Sequence, residues 1–339
     1  MKVEDEELAG RLSLLLDGFR ASQCIHVAAA LGLADAIGED EERSTTSLAA
    51  SLGLQADALR RLMRVLVSLG LFARTGTDGW THSPGSRLLR SSHPAALGQR
   101  ARTLGTLAWQ SWGALEHSVR TGESAFDHVH GKPFFTFLEE HPELAIDFGS
   151  TMTSFTRATA GAVARAYDFS RHRSVVDVGG GHGVMLDVLL SSHPHLTGTL
   201  VDRPEVVEAG APALGAAARQ RCRFEALNFF EDPLPAADVH VLSWILHDWN
   251  DDDCIRLLSA CRHAMSETGE LLVVEMVVPE HDEASPAKMF DLEMMVQTGG
   301  RERTEAEYRT LLDAAGLRLE ANHRTTGPHS VLVAKRASP

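Results

Sequence analysis

The most informative segment of this sequence is Val175-Val176-Asp177-Val178-Gly179-Gly180-Gly181-His182-Gly183. The apolar residues at its start predict a short buried strand, the glycines predict a tight turn, and the apolar spacing from Val184 to about Leu190 predicts a helix. Backbone without side chains can lie directly against a ligand, and the first turn of the helix offers it free N–H groups. This order of elements is typical of a small-molecule site in an open α/β sheet.

The spacing of the glycines narrows the class of ligand. A dinucleotide fingerprint would require glycine where Val184 stands, and a phosphate-binding P-loop would require Gly-Lys-Ser/Thr, which does not follow. The turn fits instead the nucleoside seat of a methyltransferase that uses S-adenosylmethionine. The next predicted strand, 196–201, ends in Asp202, whose carboxylate can bind both hydroxyls of a ribose. The alternatives are an ordinary glycine-rich turn and a solvated carboxylate at a strand end.

Composition limits the class of protein. The chain has 339 residues, 44% of them apolar, with 32 basic and 46 acidic residues and a net charge of −14. The length predicts two or three domains, and the negative charge disfavours nucleic acid and anionic membranes as partners. Without an apolar run that could span a membrane or a basic leader segment, we expect a soluble cytoplasmic protein. The four cysteines form no Cys-x-x-Cys pair, so we expect reduced thiols.

The first predicted domain, residues 1–100, is mainly helical. Its predicted elements are helices over 8–33, 44–52 and 56–69, followed by a two-stranded wing over 71–82. A winged helix can bind DNA, but this domain has 11 basic and 12 acidic residues, and the helix 56–69 is largely Leu, Met and Val. Because a DNA-reading face should be basic, we expect a protein–protein interface here.

The other two predicted domains are a helical linker over 101–170 and a catalytic domain over 171–339. In the catalytic domain, apolar runs between turn residues predict strands over 174–179, 197–202, 222–227, 237–245, 270–278, 317–325 and 330–336. The first five predict a parallel sheet with crossover helices. The last two are joined by only four residues, so they should form an antiparallel hairpin.

Chemistry-bearing residues follow the predicted strands. His247 comes just after strand 237–245, Glu275 lies near the end of the next strand, and Glu302 follows a helical stretch over 287–296. Since ligands bind beyond the carboxyl ends of strands in doubly wound sheets, His247 should lie at the ligand site. A histidine with two carboxylates is suited to be a general base whose ring is oriented and whose positive charge is stabilised. Individually, these residues could instead form backbone hydrogen bonds or ordinary ion pairs.

The acidic run Asp248–Asp253 raises the possibility of a metal. A calcium loop would require glycine at Asp253 and glutamate at Ser259, so the run does not fit one. An acidic helix N-terminus explains it better, because negative charge there is stabilised by the helix dipole. We therefore expect no metal.

Several segments together resemble the caffeate/hydroxyindole-type family of S-adenosylmethionine-dependent O-methyltransferases, in its bacterial antibiotic- and polyketide-tailoring branch. These segments are 175–183, 200–202, 228–230, 244–249 and 299–305, and the resemblance extends essentially end to end. The Leu-His-Asp-Trp and Gly-Gly-Arg-Glu-Arg-Thr elements are its most specific features. The resemblance implies an α/β class I methyltransferase with a Rossmann-like seven-stranded sheet and an N-terminal, mainly helical winged-helix dimerisation domain, hence a homodimer.

The resemblance also implies roles for individual residues. Gly179, with Gly181, would line the methionine part of S-adenosylmethionine, and Asp202 would hold its ribose. Asn228 and Phe229 stand where the family usually has Asp and an aromatic or Met at the adenine, and Ser243 stands where plant members often carry Lys. His247 would be the general base, flanked by Glu275 and Glu302. An unperturbed histidine titrates near ~6.5, against ~10 for a phenol, so such a base would help most in the transition state.

We expect methyl transfer from S-adenosylmethionine to a hydroxyl, phenolic in type, of a small aromatic or polyketide-type metabolite. Candidate pocket residues are the adaptable apolar side chains Phe148, Met152, Phe155, Met289, Phe290 and Met294, which could also be core. The alternatives are N-methylation, or hydroxylation or decarboxylation with S-adenosylmethionine bound, and a winged-helix regulator that senses small molecules. The intact His247 with both glutamates argues against the first two, and the charge count argues against the regulator.

Overall fold

The computed structural model describes residues 3–210 and 214–337. Their contacts divide them into two units. Unit 1 consists of the described residues up to Gln110 together with His141–Ser154, and unit 2 consists of Ser111–Glu140 together with the described residues from Phe155 onward. This division distributes the residues of 101–170 over both units.

The described elements up to residue 166 are mostly helices. They are α1 (Val3–Ala30), α2 (Leu33–Ala36), β1 (Arg43–Ser44), α3 (Thr45–Leu52), α4 (Ala56–Ser68), β2 (Ala73–Thr75), β3 (Gly79–Thr81), α5 (Pro84–Arg87), α6 (Leu97–Thr103), a π-helical turn (Leu104–Ala108), α7 (Trp109–Gly113), α8 (Leu115–Thr121), α9 (Ala125–His130), α10 (Phe134–Glu140) and α11 (Pro142–Ala166). No helix of the described residues is long and apolar enough to cross a membrane.

Strands and helices alternate in the rest of the described chain. These elements are β4 (Ser174–Val178), α12 (Val184–Ser192), β5 (Thr197–Asp202), α13 (Pro204–Gly210), α14 (Ala216–Arg219), β6 (Cys222–Ala226), β7 (Ala237–Ser243), a 3₁₀ turn (Leu246–Asp248), α15 (Asp251–Ala264), β8 (Met265–Glu275), β9 (Val277–Val278), α16 (Pro286–Gln297), β10 (Arg303–Thr304), α17 (Glu305–Ala314), β11 (Leu317–Arg324) and β12 (Ser330–Arg336).

Unit 1 contains the predicted winged helix. Ser44 caps α3 by accepting a hydrogen bond from the Ser47 N–H, and Gly53 ends that helix in the left-handed conformation (φ 68°). The wing is a small antiparallel sheet in the order β1-β3-β2. Trp80 on β3 is buried and donates from Nε1 to Thr45 Oγ1 at 2.8 Å, which ties the wing to the start of α3.

Unit 2 is built on a seven-stranded sheet in the order β11-β12-β8-β7-β4-β5-β6. The strands from β4 to β8 that belong to this sheet pair in parallel, and β12 pairs antiparallel with both β11 and β8. This confirms the predicted parallel sheet and its antiparallel hairpin. β8 begins at Met265, earlier than predicted, and Val277–Val278 leaves the sheet to pair with β10.

Alternate residues of the central strands enter two separate cores. Val176 and Val178 of β4 pack in one apolar cluster, and Val175 packs in another on the opposite face. Burial on both faces explains why β4 carries valine at neighbouring positions instead of alternating apolar and polar residues. Strand order reverses at β4, with β5 on one side and β7 on the other, so a crevice is expected at the carboxyl ends of β4 and β7.

Candidate active site

The glycine turn lies directly after β4, at this reversal of strand order. Gly179 and Gly181 adopt left-handed φ values of 72° and 56°, which strongly favour glycine. A side chain at 179 would come within 2.5 Å of Ile245 Cδ1 and 3.6 Å of the Phe229 ring, whereas one at 181 would meet nothing within 4 Å among the described residues. Protein side chains thus fill the space beside Gly179, whereas the space beside Gly181 is open. An open side of this kind is what a ligand-binding turn requires.

Asp202, at the end of β5, is joined to this turn. Its two carboxylate oxygens accept hydrogen bonds from the Gly181 and Arg203 N–H groups, both at 2.8 Å. A carboxylate has about four acceptor positions, so capacity for ribose hydroxyls remains. Burial raises the pKa of Asp202, although the two backbone hydrogen bonds oppose that shift. Burial, and next the charge of Asp202, raises the pKa of neighbouring Asp177 to about 7.

The other predicted cofactor residues differ in their surroundings. The Phe229 ring lies beside Gly179. Asn228 is exposed, and its side-chain oxygen accepts from the Phe230 N–H at 3.0 Å, which leaves one lone pair for a ligand. Ser243 ends β7, and its hydroxyl is buried without a hydrogen-bond partner among the described residues.

The structure brings His247, Glu275 and Glu302 together. His247 Nδ1 lies 2.8 Å from Glu302 Oε1 and 3.5 Å from Glu275 Oε2, and all three side chains are buried. An ionised carboxylate only accepts hydrogen bonds, so in the neutral ring Nδ1 carries the hydrogen and Nε2 presents its lone pair. The neighbouring Asp248 has a carboxylate oxygen 3.9 Å from Nε2.

The carboxylates dominate the electrostatics of this cluster. Burial alone lowers the pKa of His247, but the negative charges of Glu275, Asp248 and Glu302 outweigh it and raise that pKa to about 10. Burial raises the pKa of Glu275 to about 7 and that of Asp248 to about 6, against the favourable charge of His247. The three carboxylates therefore favour the imidazolium form of His247.

Two side chains and a glycine hold the His247 segment in place. Glu275 Oε1 accepts from the Ile245 and Leu246 N–H groups at 3.0 and 2.9 Å. The buried guanidinium of Arg303 donates to the Leu246 and Trp249 carbonyl oxygens, both at 2.9 Å. Gly300 packs so closely that a side chain there would overlap the His247 carbonyl oxygen. The Gly-Gly-Arg-Glu-Arg-Thr element thus supplies both Glu302 and much of the scaffold around His247.

Sequence reasoning did not identify Trp244 as a site residue. Its backbone is left-handed (φ 60°), a conformation that costs a bulky residue about 1–3 kcal/mol and is concentrated at functional sites. Its ring centroid is 5.5 Å from that of His247. The one sequence signal was its place three residues before His247. Gln297 was also missed: it is buried at the end of α16, and neither atom of its amide has a hydrogen-bond partner among the described residues.

The predicted pocket residues separate into three sets. Phe155 stacks on Trp244 with centroids 5.9 Å apart, Phe290 contacts it edge-on at 5.5 Å, and Met294 is buried one turn further along α16. Met289 is 61% exposed. Phe148 and Met152 are half-buried residues of α11 in the part that belongs to unit 1.

The base cluster also meets a geometric condition for binding a metal. One potential ligand atom from each of His247, Glu275 and Glu302 lies within 4.8 Å of the others. One of these contacts is the short Nδ1–Oε1 hydrogen bond, which an ion would have to replace. A histidine–carboxylate hydrogen bond accounts for the arrangement without an ion, and the two possibilities are separable by a chelator.

Two family profiles match the chain. One, described as the O-methyltransferase domain, matches residues 112–318, and the other, described as the O-methyltransferase dimerisation domain, matches residues 13–92. Among curated proteins, the phenazine O-methyltransferase PhzM of Lysobacter antibioticus is 36% identical over 97% of this chain and 96% of its own length.

Solved structures are similar over nearly the same extent. The crystal structure of LaPhzM has a TM-score of 0.93 and 37% identity, covering 97% of this chain and 99% of that one. An O-methyltransferase (NcsB1) from neocarzinostatin biosynthesis, solved with S-adenosylmethionine and 2-hydroxy-5-methyl naphthoic acid, has a TM-score of 0.81 and 32% identity, covering 93% of this chain and 96% of that one. The similarity includes both the helical N-terminal region and the sheet.

Proposed function

Because the chain belongs to the S-adenosylmethionine-dependent O-methyltransferase family, as its two matched domains and full-length relatives show, we propose that it methylates a phenolic hydroxyl of a small aromatic secondary metabolite. The observation that carries this proposal is the buried His247–Glu302–Glu275 cluster after β7, next to the glycine cradle after β4. Relatives that methylate oxygen favour this reaction over the alternatives of N-methylation and non-methyl chemistry.

The residues after β4 and β5 fit the cofactor. Gly179 and Gly181 leave bare backbone where its methionine part would lie, and Asp202 keeps acceptor capacity for its ribose. Phe229 and the remaining lone pair of Asn228 would hold the adenine, with Ser243 as a further polar contact. Bound S-adenosylmethionine supplies an activated methyl group on a positively charged sulfur.

His247 provides the proton acceptor. Its Nδ1–H donates to Glu302, so Nε2 of the neutral ring is free to accept the hydroxyl proton of the substrate as the oxygen attacks. The negative charge of Glu275 stabilises the imidazolium that results. The raised pKa of His247 makes its neutral ring a stronger base than a free imidazole, which favours proton transfer from a phenol, whose pKa is ~10.

Three predicted pocket residues of unit 2 would hold the ring of the substrate. Phe155 and Phe290 pack on Trp244 beside the base, and Met294 lies near Phe290 on the same face of α16. Flat apolar surfaces next to a general base suit an aromatic substrate. Burial of an aromatic ring also orients it, and orientation supplies much of the barrier lowering in such transfers.

We further propose a homodimer. The chain carries the family's dimerisation domain. In addition, α1 exposes a stripe of apolar side chains, and exposure of such a stripe to water is unfavourable unless a partner covers it. The stripe is Leu8, Leu12, Leu15, Leu16 and Phe19, each of which is at least half exposed. Because residues 13–92 match a dimerisation domain, we propose that a second copy of the chain covers this stripe.

A substrate panel tests the reaction. The purified chain is incubated with S-adenosylmethionine and matched phenols and anilines, with and without a chelator, and products are identified by mass and by the position of the new methyl group. We expect methylation on oxygen that the chelator does not affect. Methylation of anilines alone would favour the N-methylation alternative, and loss of activity restored by a divalent ion would show a metal requirement.

A further inference from the structure

Trp244 is the centre of a group of aromatic rings beside the base. Phe155 and Phe290 flank its indole, the ring centroid of His329 is 4.4 Å from it, and that of His247 is 5.5 Å from it. His329 comes from the loop before β12, so it joins the site from a different part of the chain. We call Phe155, Trp244, Phe290 and His329 the aromatic box.

Two polar atoms in the aromatic box have no hydrogen-bond partner among the described residues. They are Trp244 Nε1 and His329 Nε2, and both are buried, in side chains that are 7% and 5% exposed. Buried tryptophan N–H groups and buried histidine nitrogens are nearly always hydrogen-bonded, because desolvation without a partner is costly. Two such atoms in rings that contact each other, beside a general base, suggest a ligand that pairs with both.

The surroundings of His329 decide which kind of partner its Nε2 accepts. The Thr159 hydroxyl oxygen lies 3.1 Å from the Phe155 carbonyl oxygen and 3.3 Å from His329 Nδ1. Its single hydrogen can be donated to only one of them, and we assign it to the shorter contact with the carbonyl, so that Thr159 accepts from His329 Nδ1. Nδ1 therefore carries the ring hydrogen. Burial, with the charge of His247, lowers the pKa of His329 to about 4, so the ring is neutral and Nε2 is a bare acceptor.

The aromatic box thus offers one donor and one acceptor. Trp244 Nε1 can only donate a hydrogen bond, and His329 Nε2 can only accept one. A hydroxyl group does both at once, whereas a carboxylate or an ether oxygen can only accept. The left-handed backbone at Trp244 is consistent with a functional position, because strained residues cluster at functional sites.

We propose that Trp244 and His329 form a second polar subsite, which binds a hydroxyl that is not methylated, carried on the same aromatic ring as the hydroxyl that reacts at His247. This inference rests on the proposed function and narrows its substrate class to dihydroxy-aromatic compounds. The bound hydroxyl accepts from Trp244 Nε1 and donates to His329 Nε2. Both residues are positioning residues, which fix the rotation of the substrate ring so that one particular oxygen faces His247.

Four simple probes test the subsite: phenol, guaiacol, catechol and resorcinol. We expect kcat/KM for catechol or resorcinol to exceed that for phenol by about tenfold, since a hydrogen bond that satisfies buried groups contributes on the order of one factor of ten. Guaiacol, whose methoxy oxygen can accept but not donate, should gain little. We define the dihydroxy preference as the ratio of kcat/KM for catechol or resorcinol to kcat/KM for phenol. Variants are compared by this ratio, not by total activity.

Variants at position 329 separate the two ring nitrogens. His329→Asn keeps a polar atom near Thr159 but removes the one at the Nε2 position, so the dihydroxy preference should be lost. His329→Gln places an amide near the Nε2 position and should restore part of it. Trp244→Phe keeps an aromatic ring without the donor and should also reduce the preference.

The matched control is His240→Gln. His240 is also a buried histidine with one nitrogen that has no hydrogen-bond partner among the described residues, but it lies within β7 and outside the aromatic box.

The outcomes distinguish failure of this inference from failure of the proposed function. Methylation of phenol and catechol at equal kcat/KM in the wild type would overturn the subsite and leave O-methylation standing. A preference that survives both His329→Asn and Trp244→Phe would also overturn it, and would assign these atoms to a buried water. If no probe is methylated and calorimetry with S-adenosylhomocysteine present detects no catechol binding, both proposals fail.

Discussion

His247 is the residue on which the proposed chemistry depends. We expect His247→Ala to lower turnover of a phenol by ~10²–10⁴, the usual contribution of a general base, with little change in cofactor affinity because Gly179, Asp202 and Asn228 follow other strands. Product formation and calorimetric titration of S-adenosylhomocysteine measure the two effects. Glu275→Gln and Glu302→Gln should each cost less, since the ring keeps one partner. Unchanged turnover in His247→Ala at neutral pH would show that proximity alone supplies the rate.

The raised pKa of His247 makes a second prediction at this scale. Only the neutral ring accepts a proton, and a pKa of about 10 means that this form increases with pH up to about 10. We therefore expect wild-type kcat/KM for a phenol to rise throughout the range from neutral pH to about 10, instead of levelling off near ~6.5 as an unperturbed histidine would.

Removal of a carboxylate tests the cause of that shift. Glu275→Gln takes away a negative charge that favours the imidazolium, so the pKa of His247 should fall and the rate should level off at a lower pH. The matched control is an acceptor already ionised at neutral pH, for which the rise should be absent in both proteins. An identical pH profile for wild type and Glu275→Gln would mean that Glu275 does not set the ionisation of His247.

Asp202 carries the equivalent prediction for the cofactor. Asp202→Ala should weaken S-adenosylmethionine binding by roughly 1.5–3 kcal/mol, the range for hydrogen bonds to a charged group. The variant also removes the acceptor for the Gly181 N–H, so part of the loss reflects a less ordered glycine turn. Calorimetry measures the change in dissociation constant, and Asp187→Ala, on the following helix, serves as a control for lost carboxylates near the turn. An unaltered constant in Asp202→Ala would remove its assignment to the ribose.

At the scale of elements, the segment after β7 is held against the Gly299–Thr304 element. Gly300→Ala should displace His247, because the new methyl group would overlap the His247 carbonyl oxygen, and overpacking of this kind costs typically 1–3 kcal/mol. We expect lower turnover and a lower melting temperature. Gly113→Ala is the matched control, since a side chain there would meet nothing within 4 Å among the described residues. Equal activity of the two variants would show that the two segments are not coupled.

The sequence predicts most elements of unit 2 but not the details of its site. Strands β4, β5 and β7 are short apolar runs between turn residues, so their positions and the proximity of His247 to Glu275 follow from pattern and topology. The left-handed backbone at Trp244 does not follow from the sequence, because the next two N–H groups donate to Glu275, a residue about 30 positions further along the chain. Likewise, no spacing connects His329 to Trp244, and the pKa of His247 depends on burial together with three carboxylates that only the fold assembles.

For the whole molecule, the proposed dimer is the main testable property. Sedimentation should give about twice the 36.8 kDa mass of one chain. Leu15→Glu should shift the protein toward monomer, because Leu15 is 68% exposed in the stripe on α1 and a charge there would be costly to bury in an interface. Leu69→Glu, at a partly exposed apolar residue after α4, is a control for the added charge. A stable wild-type monomer would contradict the proposal.

The left-handed turn at Trp244 has a practical consequence for redesign of the substrate range. Every residue except glycine bears a conformational cost at that position, so exchange of one large side chain for another gains no stability, while glycine would leave a void beside the base. A directed-evolution library should therefore hold position 244 constant and randomise Phe155 and Phe290, which touch the same indole from ordinary helical backbone. Such libraries would begin with more functional members, because the strained position beside the base is spared.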